Sequence, residues 1–250
     1  MKQETKKIII WTILFAIAMG FMETAVVVYL RELYYPDGFK FPLTVIPNKV
    51  AVTEFWREIA TIIMLVGTGI IAGKTKLTRF AYFIMAFAIW DIFYYVFLYV
   101  LIAWPQSLLT WDILFLVPVP WVGPVLAPCL VSLEMIVFAY CIIYFKEKDS
   151  RIKVSVSQWL LLISGVLVII MSFTTDYIEQ VSQSSVDNWN IFSESQLFEE
   201  LKTYTPKEFC WWLFWVGDAL CALGVLSFVK TCVRDCSGNP FLRNEKKSEA

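Results

Sequence analysis

Five carboxylates fall where an apolar helix would carry them into a bilayer: Glu23, Glu58, Asp91, Glu134 and Asp218. In a low dielectric such groups exchange protons, hold a cation, or act as acid and base. Each costs about 2.5–3.5 kcal/mol at the bilayer centre on the insertion scale, so five would cost about 12–17 kcal/mol. That rivals the stability of a whole domain. The five are therefore expected to be paired, protonated, hydrated or bound to a cation.

Two arginines lie near enough in sequence to serve them, Arg31 just past the first apolar run and Arg57 beside Glu58. Two guanidiniums cannot neutralise five carboxylates, and either can hold an anionic ligand group instead. Tyr94, Tyr95 and Tyr99 follow Asp91 at helical spacing, so their hydroxyls rise along one face as uncharged donors to its carboxylate. Glu54, Arg57, Glu58, Thr61 and Thr68 form a second polar stripe. Asp112, in "LLTWDILF", ranks below the five because an interfacial aspartate needs no partner.

Several chemistries drop out. The chain has no histidine, which excludes His-ligated haem, His-based zinc sites and Ser-His or Cys-His catalysis. A hard divalent cation on carboxylate oxygens stays open. The six cysteines include no C-x-x-C, and Cys232 with Cys236 offers only two thiols to a soft metal. No D-x-x-D pair or other catalytic motif appears. Gly67-Thr68-Gly69 with Gly73 has the wrong spacing for a nucleotide loop and suits close helix packing.

The elements that must position these residues follow from composition. With 58% hydrophobic and 17% aromatic residues in 250, the chain is too apolar for a soluble domain. A hydrocarbon core about 30 Å thick needs about 20 helical residues. The expected fold is an all-α, polytopic membrane bundle, one transmembrane domain over 1–250 with spans near 8–30, 58–73, 80–103, 126–145, 157–173 and 209–230. Lys6-Lys7 and Ala16-Ile17-Ala18 also fit a secretion signal, but the apolar run continues to Leu30 as an uncleaved helix would.

Fifteen of the 21 Lys and Arg residues fall in the N-terminus, 74–79, 146–153 and the tail, which predicts both termini cytoplasmic. Short loops and this bias point to a bacterial inner membrane. Counting helical rise from each cytoplasmic end puts Glu23 and Glu58 at about 22 Å, Asp91 and Asp218 at about 18 Å and Glu134 at about 16 Å, one slab in the outer half.

The connections are uneven. Tyr35-Pro36-Asp37-Gly38 is a turn signal. Pro118, Pro120, Pro124 and Pro128 forbid a continuous helix, so 111–125 is expected to be proline-broken or re-entrant. The acidic extracytoplasmic loop 174–208 carries a balance of −5, with a surface helix expected over 193–202. Thr205-Pro206-Lys207-Glu208 reads as a capping box opening the last span, and 231–250 as a cytoplasmic tail.

Three function classes remain: a transporter of protons, cations or a small cationic solute; an enzyme acting on a lipid or lipid-linked substrate at the outer leaflet; and a non-catalytic subunit or scaffold. The expected partners are the lipid bilayer and a small-molecule, cation or lipid head-group ligand, and not nucleic acid.

Overall fold

The computed structural model describes residues 1–44, 46–116, 119–183 and 204–238. Among them are six helices long and apolar enough to cross a membrane. They are α1 (Gln3–Tyr34), α2 (Asn48–Ala72), α3 (Lys76–Ile102), α4 (Leu126–Lys148), α5 (Val156–Gln183) and α6 (Trp211–Gly238). Two short strands, β1 (Trp111–Phe115) and β2 (Trp121–Pro124), pair antiparallel between α3 and α4.

The chain signals helix ends through specific residues. Thr75 caps α3 reciprocally with Thr78, its Oγ1 accepting the Thr78 N–H at 3.2 Å and its own N–H donating to Thr78 Oγ1 at 2.9 Å. Ala103 closes the same helix in the left-handed region, φ 51°. Pro128 sits in the first turn of α4, where a missing N–H leaves no bond unmade, so it does not break that helix. Gly38 at φ 92° closes the turn after α1, its N–H donating to the Tyr35 carbonyl at 2.9 Å.

Several boundaries differ from the hydropathy: α5 runs on to Gln183 and α6 to Gly238, past the expected ends near 173 and 230 and into the expected loop and tail. The second helix starts at Asn48 rather than near 58, because Lys49, Glu54 and Arg57 dilute an otherwise helical stretch. The last helix starts at Trp211, not in a Thr205 capping box. The backbone N–H groups of Lys207 and Glu208 instead donate to the Asp176 carboxylate at 3.4 Å each, and the Tyr204 hydroxyl donates to it at 2.5 Å. Asp176 on α5 thereby holds 204–208 extended. Pro118 and the surface helix expected over 193–202 lie outside the described residues.

Helix α3 is the centre of the first four helices, packed by α1, α2 and α4. Gly20 permits the α1 approach: a Cβ there would come within 3.1 Å of the Trp90 carbonyl. Thr24 Oγ1 seals it with bonds to the Gly20 and Tyr94 carbonyls at 2.8 and 3.1 Å. Helices α5 and α6 form a second unit, closed on each other at a glycine contact. A Cβ on Gly165 would lie 2.5 Å from Cys221 Sγ and 2.7 Å from the Gly217 carbonyl. This pair meets the rest through α4 and β2.

The N-terminus, the α2–α3 connection and the end of α4 gather at one end of the bundle, where Lys2 N–H donates to Glu147 and Lys74 lies 3.9 Å from Glu4. The β1–β2 hairpin, 35–44 and 204–210 occupy the other.

Candidate functional site

The expected carboxylates divide into two groups. The first lies at the hairpin end, between α1, α2, α3 and β1. Arg57 on α2 bonds Glu23 of α1 through Nη1 and Glu54 through Nε, the latter at 2.7 Å. Glu58 is therefore not the partner of Arg57, although it follows it in sequence. Its two oxygens accept the Leu116 N–H at 3.0 and 3.3 Å.

Arg31, at the last turn of α1, lies 3.6 Å from Asp112 on β1. Its guanidinium is stacked between two rings, 3.8 Å from the Trp104 centroid and 4.5 Å from Phe39. Asp112 is only 3% exposed, so it is no surface aspartate. Burial pushes its carboxyl up to about 6, with Arg31 opposing. The hairpin explains the burial: β1 places Asp112 opposite Gly123 of β2, whose missing side chain makes room for the rings of Phe173 and Phe209. Arg31, Glu54, Glu58, Tyr94 and Asp112 line a chamber of about 180 Å³.

Asp91 lies deeper. Its carboxylate accepts from Ser132 Oγ on α4 at 2.8 Å, so its hydrogen-bond partner is a serine and not the tyrosine column expected from the spacing. Tyr95 lies beside both Asp91 and Asp112 and connects the two levels. Tyr94 packs on Tyr95 with centroids 4.9 Å apart. Tyr99 is 63% exposed and does not join them.

The second group is Glu134 on α4 and Asp218 on α6, which interact with each other and, among the described residues, with no cation. Glu134 Oε1 is buried without a hydrogen-bond partner. Asp91, Ser132 and Glu134 share the wall of an apolar cleft of about 440 Å³ between α3, α4 and the α5–α6 pair. Its rings include Phe87, Phe115, Trp121 and Phe173, and it opens past Ile163 and Leu167 of α5, both more than half exposed.

Among the described residues, no group of three or more His, Cys, Asp or Glu side chains is arranged to hold a metal ion. Sequence spacing ranked Asp112 below the five and missed Ser132. The Pro-x-Pro between two short apolar runs was the signal for a hairpin that would bury Asp112, whereas nothing local marks Ser132. Compared with known protein families, with curated proteins and with solved structures, the chain shows no match.

Proposed function

We propose that this is a multi-pass membrane protein, with both termini cytoplasmic, that binds and moves protons or a small cationic solute through the hairpin-end chamber and Asp91. The observation that carries this is the state of Glu58. It lines the chamber, and neither guanidinium bonds it. Four carboxylates (Glu23, Glu54, Glu58, Asp112) meet two guanidiniums (Arg31, Arg57), which leaves two negative charges for a cation or for protons. Tyr95 and Ser132 extend the polar path toward the bundle centre.

The test is flux in liposomes holding the purified full chain, under a pH gradient and under a gradient of a monovalent cation. Glu58→Gln and Asp91→Asn are expected to abolish flux with elution and helix content unchanged. Unchanged flux in both variants, or no flux for the wild type under either gradient, sinks the proposal.

A second possibility, chemistry on a lipid substrate, draws on one observation. The Ser132 hydroxyl donates to Asp91 inside the apolar cleft, a nucleophile beside a base where a lipid chain could enter. Lipid turnover lost in Ser132→Ala, in the absence of flux, would reverse the order.

A further inference from the structure

The chamber has polar atoms of both signs left over. Arg31 and Asp112 are 8% and 3% exposed, yet Arg31 Nη1 and Asp112 Oδ2 make no hydrogen bond among the described residues. Their mutual contact, Nη2 to Oδ1 at 3.6 Å, is longer than a direct hydrogen bond. Each group thus meets the other at arm's length and keeps its second atom unused. An orphaned buried charged atom is costly, so a partner is expected for both.

Both residues line the same chamber, with Glu58 as a further acceptor. Its volume, about 180 Å³, exceeds what one bridging water fills. It is also below the roughly 300–1,000 Å³ of pockets for drug-sized ligands. A simple cation would satisfy Asp112 and Glu58 but leave the Arg31 donor bare and face its repulsion. A simple anion would meet Arg31 and be repelled by the carboxylates. Stacking between Phe39 and Trp104 fixes the guanidinium plane, which suits it to an oxyanion.

We infer that the chamber binds a small zwitterion, its carboxylate or phosphate on Arg31 Nη1 and its ammonium between Asp112 Oδ2 and Glu58. This rests on the chamber being a solute site, as proposed above, and puts a zwitterion in place of the cationic solute, with protons still moved through Asp91. Arg31 lies about 34 Å above residue 8 along α1, beyond a hydrocarbon core of about 30 Å. A free amino acid and the head group of an amine phospholipid present the same chemistry at that level.

The experiment is the melting temperature of the full chain in detergent, titrated with glycine, β-alanine and 4-aminobutyrate, and with butylamine and butyrate as single-charge controls. A parallel arm compares nanodiscs of phosphatidylethanolamine and phosphatidylcholine. At least one amino acid is expected to bind about tenfold or more tighter than either control, because each control lacks one charged hydrogen-bond partner. Glu58→Gln breaks no ion pair, so it should fold and weaken that binding by about tenfold or more. Stabilisation by phosphatidylethanolamine alone, without response to free amino acids, supports the same chemistry and assigns it to a head group. Butylamine binding as tightly as the amino acids overturns the zwitterion and leaves the cation proposal standing. No response to any probe or lipid, with proton flux intact, overturns this inference alone; with flux also absent, both fall.

Discussion

Replacing Arg31 with methionine keeps much of the side-chain volume between Phe39 and Trp104 and deletes the charge opposite Asp112. Breaking a buried ion pair by removing one partner costs about 3–5 kcal/mol. Proton uptake by Asp112 sets a ceiling on that loss. From its folded value of about 6, neutralising the carboxyl costs about 2 kcal/mol at pH 7.5 and almost nothing at pH 5.5. At about 2–4 °C per kcal/mol for a chain of this size, that ceiling makes Arg31→Met melt about 4–8 °C below wild type at pH 7.5. At pH 5.5 the deficit should shrink to about 2 °C or less, because Asp112 is already mostly protonated there. Adding Asp112→Asn to Arg31→Met removes the stranded charge and should recover most of the loss at pH 7.5 without changing the value at pH 5.5 much. Thermal unfolding of detergent-purified protein, followed by the monodisperse peak, reads all of these. A single variant that melts within a few degrees of wild type at both pH values, or a double variant no better than the single at pH 7.5, would refute the pairing.

Asp112 itself titrates with a defined sign. Its folded value near 6 is raised above 3.8, so the stability it contributes is full below 3.8 and lost as pH rises through 6. Wild-type melting temperature should therefore fall between about pH 4 and 6 more steeply than that of Asp112→Asn. Gly165→Ala puts a methyl 2.5 Å from Cys221 Sγ and 2.7 Å from the Gly217 carbonyl, and should destabilise the α5–α6 pair by about 1–3 kcal/mol. Gly67→Ala meets nothing within 4 Å and should be neutral or stabilising by up to about 1 kcal/mol, so equal losses at the two glycines in a melting assay would contradict the close crossing. Asp176→Asn should weaken the hold on 204–208, read as faster protease cleavage there with α1–α4 untouched; an unchanged cleavage rate would show that the segment is held by other contacts.

The spans were legible because hydropathy reports how apolar a helix surface is, and the six long helices are apolar enough to cross a membrane. The α2 start was not, since ten residues rich in charge fold as helix while reading as loop. Buried charge was legible for the same reason it is expensive: Glu23, Glu58 and Asp91 stand out against apolar neighbours. Who pairs with whom was not legible. Arg57 and Glu58 are adjacent in sequence, but neighbours on a helix point about 100° apart, and Arg57 turns to Glu54, three residues back on its own face, and to Glu23 across α1. Asp91 finds Ser132 on α4, a contact fixed by helix packing that no spacing along α3 encodes.

That allocation also decides which carboxylates remain for a ligand. Had Arg57 closed on Glu58, the chamber would hold two satisfied pairs and little else, and its walls would read as interhelical hydrogen-bond glue. Because Glu23 and Glu54 occupy Arg57 from both sides, Glu58 is left, among the described residues, with a single backbone N–H, and Arg31 faces Asp112 at a distance longer than a hydrogen bond, with Tyr95 and the Ile113 N–H also beside that carboxylate. Glu134 and Asp218 have no cation beside them among the described residues and lie apart from the chamber, which makes them the weaker candidates for solute binding and the stronger ones for a role in the apolar cleft. Glu134→Gln combined with Glu58→Gln separates the two sites. If the chamber alone binds solute, the double variant should bind no worse than Glu58→Gln, and a further loss would join the cleft to the same path.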